Sequence, residues 1–154
     1  MTTTRTVTQP SDTSVLCTGS QLSGTFTVVP GSGGAGQISY ALTVTNTSQR
    51  ACKLVGPPDV TLLDVNGSAL PTRAGSAGVM GPPPTLQPGS SAKATARFSP
   101  SVPGSGDSKT GDCQPKAYTL RVTPDGGGTV DAPITPPTSV CGRGALGFSS
   151  YVAV

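Results

Sequence analysis

The 154-residue chain contains no histidine, no glutamate and no tryptophan. Without histidine there is no Ser-His-Asp or Cys-His machinery, no imidazole metal ligand, and none of the side chain most used for proton transfer near neutral pH. Without glutamate, a catalytic carboxylate pair has only seven aspartates to draw on. Three Phe and three Tyr are the whole aromatic complement, so the core has little large apolar surface to bury. No stretch approaches the ~20 apolar residues of a membrane-spanning helix, and the chain is not read as spanning a bilayer. Nor is there a basic cluster interleaved with aromatics, which argues against nucleic acid.

What is abundant is punctuation. Gly and Pro together make 37 of the 154 residues, while the formal net charge is only +3, so self-repulsion does not hold the chain open. The core is thin and needs bracing. Cys17, Cys52, Cys113 and Cys141 are even in number, widely spaced and free of any C-x-x-C pair. That pattern fits a disulfide framework better than zinc or thioredoxin-like chemistry, and it allows three connectivities. Disulfides imply an oxidising compartment. The first fifteen residues, MTTTRTVTQPSDTSV, show no apolar signal region. The expectation is therefore a polar, Thr-rich linker over 1–14, a native leader or anchor having been removed ahead of it, and one domain over 15–154.

Period-two alternation is the dominant pattern. QISYALTVTN sets Ile38, Tyr40, Leu42 and Val44 on one face; GTFTVV repeats the pattern with Phe26 and Val28. SAKATARF sets Ala92, Ala94, Ala96 and Phe98 against Lys93, Thr95 and Arg97, and AYTLRVT sets Tyr118, Leu120 and Val122 against Thr119, Arg121 and Thr123. DVTLLDV is a further strand, with weaker ones around Leu54, Val130–Ile134 and Leu146–Val152. Asn66-Gly67 predicts a type I′ hairpin turn, and Pro88-Gly89 a type II turn. The proline runs at 81–85 and 135–138 are expected to stay out of central strands. No helical stripe is visible. Together these features predict an all-β fold, an immunoglobulin-like antiparallel β-sandwich of about seven to nine strands.

Candidate chemistry is sparse. GSGGAG at 31–36 has the glycine spacing of a phosphate-binding loop, but Gln37 stands where the lysine belongs and a strand follows instead of a helix. It reads as a connection between strands, and no cofactor is expected. Asp107 and Asp112 offer oxygen ligands for a hard cation without the dense acidic spacing of a dedicated loop, and Ser108-Lys109 is a weak dyad candidate. Lys93, Arg97 and Arg121 are predicted to point outward and to form a cationic stripe on one sheet, a candidate face for an anionic envelope polymer or an acidic protein. NTS at Asn46 and NGS at Asn66 match glycosylation sequons but fall where turns explain them better.

The run GAGQISYALTVTNTSQRACKLVGPPDVTLLDVNGSAL, then LQPGSSAKATARF, Cys113, AYTLRVTPDG and a closing CGRGALGF, resembles the actinobacterial domain of unknown function 4232, over roughly Cys17 to the C-terminus. Gln37 stands where many members have histidine, and Pro57 where an aromatic often precedes Pro58. The resemblance implies an immunoglobulin-like domain outside the membrane, with disulfides and with no catalytic residue to carry over. Together with nearness in sequence it favours Cys17–Cys52 and Cys113–Cys141, each bridge contributing about 3.6–3.8 kcal/mol by chain entropy.

The expected function is a non-enzymatic, extracellular or cell-surface binding or adhesion module. The alternative is a secreted inhibitor of a protease or other enzyme, acting through the disulfide-braced loop Pro100–Asp112. That loop and Pro71–Pro84, the two longest, are the expected contact surface, since loops carry function on such scaffolds.

Overall fold

The computed structural model describes residues 14–154, so the expected linker, apart from Ser14, lies outside the described residues. Among the described residues eleven strands run in chain order: β1 (Leu22–Val28), β2 (Ile38–Asn46), β3 (Cys52–Lys53), β4 (Val60–Leu63), β5 (Arg73–Ser76), β6 (Thr85–Leu86), β7 (Ser91–Phe98), β8 (Ala117–Val122), β9 (Val130–Thr138), β10 (Ala145–Phe148) and β11 (Val152–Ala153). The main sheet has the order β4-β8-β9-β1-β2-β7-β10-β5, with β11 also on β7, while β3 and β6 pair separately.

The alternating faces land as the sequence predicts on β1, β2 and β7. Tyr40, Leu42 and Val44 oppose Ala96, Ala94 and Ala92 across the β2–β7 ladder, and all six are buried. Three alanines on β7 leave the space that large neighbours fill. All three phenylalanines and Tyr40 meet in one cluster, with ring centroids 5.2 Å apart for Phe26–Tyr40, 5.3 Å for Tyr40–Phe98 and 6.3 Å for Phe26–Phe148. The Tyr40 hydroxyl satisfies itself within this cluster by donating to Pro136 O at 2.7 Å. Both favoured disulfides, Cys17–Cys52 and Cys113–Cys141, are formed.

The all-β class holds, but the pairing is mixed and not purely antiparallel. β1 runs parallel to β9, and β5 parallel to β10. The two ends of the strand order, β4 and β5, are joined by residues 64–72 alone. A flat sheet of eight strands would hold its edges roughly 34 Å apart, more than this folded connection spans. The sheet therefore curls until it is nearly barrel-like around its core, and the strand order does not establish an immunoglobulin-like sandwich.

Three local expectations change. Prolines 133, 136 and 137 lie in β9, a central strand. Pro136 and Pro137 are tolerated because the β8–β9 register shifts between Ala117 and Thr119 while β1 pairs only with Ile134 and Thr135, so both fall where no ladder donor is needed; Pro133 pairs with Thr119. The same shift buries Ala117 and leaves Tyr118 exposed, opposite to its predicted facing. The Asn66-Gly67 turn forms, but only Gly67 takes positive φ (+82°). The Asp64 carboxylate shapes it instead, accepting the N–H groups of Asn66 and Ser68 at 2.9 Å. The phosphate-loop lookalike is a tight reversal in which Gly34 and Gln37 exchange both backbone hydrogen bonds at 2.9 Å, with Ala35 and Gly36 at positive φ as a type I′ turn requires. Pro88-Gly89 turns as predicted, with Gly89 at φ +84° and Ser90 N–H donating to Gln87 O.

Candidate functional site

The CGRG of the closing motif folds into an unusual reversal. After Cys141 the chain stays in the left-handed region for three consecutive residues, Gly142, Arg143 and Gly144, at φ 68°, 54° and 80°. Glycine is needed at the last of these, because a Cβ on Gly144 would collide with the Pro71 carbonyl. Such a run turns successive N–H groups inward as an anion-binding concavity. Its occupant is internal. Asp107 accepts from Gly142 N–H at 2.6 Å, Arg143 N–H at 2.9 Å, Gly104 N–H at 2.7 Å and the Gln114 amide at 2.7 Å. These donors, with Gly104 foremost, hold the Asp107 carboxyl far below the usual carboxylate range. Asp107 is thus a clamp between the 100–112 loop and the 141–144 turn, and not the exposed cation ligand considered from sequence. The nearby sulfurs of Cys113 and Cys141 are bonded to each other. Asp112 is exposed and stands outside this clamp.

The clamp forms one wall of a cleft of about 770 Å³. Its floor is the outer face of β5, β10 and β7, where Gly75, Ala145 and Gly147 present almost no side chain; Ser99, Val102, Pro103 and Gly104 supply the wall, and the Ala35–Gln37 turn closes one end. Among the described residues two arginines line it. Arg73 donates from Nε and Nη2 to Gly142 O at 3.1 and 2.8 Å, which ties β5 to the left-handed turn. Arg97 donates to the Ser39 hydroxyl at 3.3 Å. Among the described residues no aspartate lines the cleft, and the one ion pair is Arg121–Asp131.

The predicted cationic stripe is therefore divided. Lys93 and Arg97 share the outward face of β7, but Arg121 sits on β8, four strand positions away. There it forms a two-point pair with Asp131 at 2.8 and 3.0 Å. The Ser108-Lys109 pair diverges, since the Ser108 hydroxyl donates to Thr110 O and Lys109 Nζ to Gly104 O at 3.3 Å. Both long loops named from sequence converge on the cleft, one through Arg73–Ser76 and the other through Val102–Gly104. Sequence reasoning missed Arg73 and β5 itself, because Arg-Ala-Gly-Ser has no apolar alternation to read.

Of the two sequons, Asn46 is fully buried: its amide donates to Arg50 O at 2.8 Å and Leu86 O at 3.0 Å, and its Oδ1 accepts from Ser48 N–H and the Ser48 hydroxyl. Asn66 is exposed in its turn. No helix among the described residues is long and apolar enough to cross a membrane. No curated protein and no solved structure matches the chain. The family it belongs to is nonetheless identified: the model of the domain of unknown function DUF4232 matches residues 17–150, and this chain is a member of that family.

Proposed function

We propose that this domain is a non-enzymatic binding module of a secreted or envelope-anchored actinobacterial protein, working outside the cytoplasm and engaging an anionic partner through the Arg73–Arg97 cleft. Two disulfides fit an oxidising compartment. The observation that carries the reading is that Arg73 and Arg97 line one cleft and that no aspartate among the described residues lines it with them. Guanidinium groups recognise carboxylate and phosphate through planar forks of N–H donors. The floor of Gly75, Ala145 and Gly147 lets a ligand approach the backbone closely. Support for the inhibitor reading is weaker, because two side chains of the 100–112 loop, Asp107 and Lys109, are engaged with the domain's own backbone.

The test is retention of the oxidised domain on inorganic polyphosphate and on anionic envelope fractions across a salt series. Arg73→Gln with Arg97→Gln should weaken retention about tenfold or more at low salt, and retention of the unmodified domain should fall as salt rises. Equal retention of the double variant would overturn the assignment of the cleft.

A further inference from the structure

The sheet treats its two edges differently. At the β4 edge the chain doubles back on itself: Leu70 N–H donates to Leu62 O at 2.8 Å, and Leu62 N–H to the Thr72 hydroxyl at 2.9 Å. At the other edge β5 has β10 on one side, and among the described residues no strand on the other. Ala77 N–H donates to Phe148 O on β10, which sets the phase of this parallel pair. Arg73 and Gly75 face β10 with it, so Ala74 and Ser76 turn their N–H and C=O groups to the open side. All four residues of β5 are exposed, three carry the smallest side chains available, and no proline interrupts them. Exposed edges are ordinarily covered, charged or bulged to prevent pairing. This one carries a charge only at its first residue, and it is fixed in place by the Arg73 fork on Gly142 O.

We propose that the open edge of β5 is a strand-addition site for an extended acidic segment of a partner protein. The proposal rests on the binding-module reading and names the partner's chemistry. Main-chain pairing supplies the docking mode, and an incoming side chain on the outward face shares that face with Arg73, whose Nη1 is the guanidinium nitrogen not engaged by Gly142 O. Charge complementarity selects the occupant: β5, β7 and β10 contain no acid, so a second copy of this edge would bring Arg73 no carboxylate. Glycan is a poorer fit, since the cleft beside β5 exposes no aromatic platform; its one aromatic, Phe98, is buried.

The experiment follows backbone amide exchange in the intact oxidised domain with three probes: an alternating valine–glutamate pentapeptide, its valine–lysine counterpart and inorganic polyphosphate. At millimolar concentration the glutamate peptide should slow exchange of the Ala74 and Ser76 amides by about tenfold or more, and the lysine peptide much less. Polyphosphate should bind without slowing either amide. Ala74→Pro, which removes a donor on the open side of an extended segment, should keep the fold and lose the peptide's protection of the Ser76 amide. Unchanged exchange at Ala74 and Ser76 with the glutamate peptide, while polyphosphate still binds, would overturn strand addition alone. Loss of polyphosphate binding as well would bring down the cleft reading with it. Protection of the same two amides that grows with protein concentration and without peptide would show a second copy on the edge, and would also overturn the proposal.

Discussion

Asp107 reaches the backbone N–H of Gly142 at 2.6 Å, across 35 residues of chain and beside the Cys113–Cys141 bridge. One carboxylate thus closes the left-handed turn, anchors the 100–112 loop and, through the Arg73 fork on Gly142 O, stands behind the end of β5.

The clamp has a pH signature. The folded carboxyl of Asp107 lies far below its unfolded value of about 3.9, so ionised Asp107 contributes stability that is fully present above that value. The contribution is lost as pH falls below about 4 toward the depressed folded pKa. Asp107→Asn keeps the volume but turns an amide donor toward N–H groups. The variant should be less stable at neutral pH, with a flatter acid limb than the unmodified domain. Urea unfolding at intervals from neutral pH downward measures both, and identical acid limbs would remove the clamp from the account.

The two disulfides should separate in function while matching in stability. Cys17→Ser with Cys52→Ser, and Cys113→Ser with Cys141→Ser, should each cost about 2–5 kcal/mol. Only the second pair releases a residue that lines the cleft, Cys141. Polyphosphate affinity should fall in that variant and be retained in the first, measured at a temperature where both are folded. Equal loss in both would mean that bracing is global.

Asn46 tests the buried polar network. Asn46→Ala strips partners from Leu86 O and Arg50 O in a fully buried position and should cost roughly 2–3 kcal/mol, read from denaturant unfolding. Asn46 should also stay unmodified when the folded domain is expressed through a glycosylating secretory route, with any glycan found at the exposed Asn66. Mass spectrometry of the two peptides decides this.

Much of this protein follows from short-range pattern. Alternation along Ile38–Asn46 and Ser91–Phe98 determines which face is buried, because successive strand side chains point to opposite sides whatever the partner. Four cysteines in a thin-cored chain determine that staples are needed, and Gly67 and Gly89 mark reversals through the positive φ they permit. The tertiary structure alone decided the rest. β1 lies parallel to β9, more than 100 residues away in sequence, and that neighbour relation separates Arg121 from Lys93 and Arg97. β5 is a strand only because β10 pairs with it; its residues have no alternation and bury nothing. Asp107 looked like any loop aspartate until the turn at 142–144 offered it N–H groups. The physical division is one of range: facing and turning are properties of a few consecutive residues, whereas strand neighbours, an open edge and a satisfied buried charge exist only once distant segments meet.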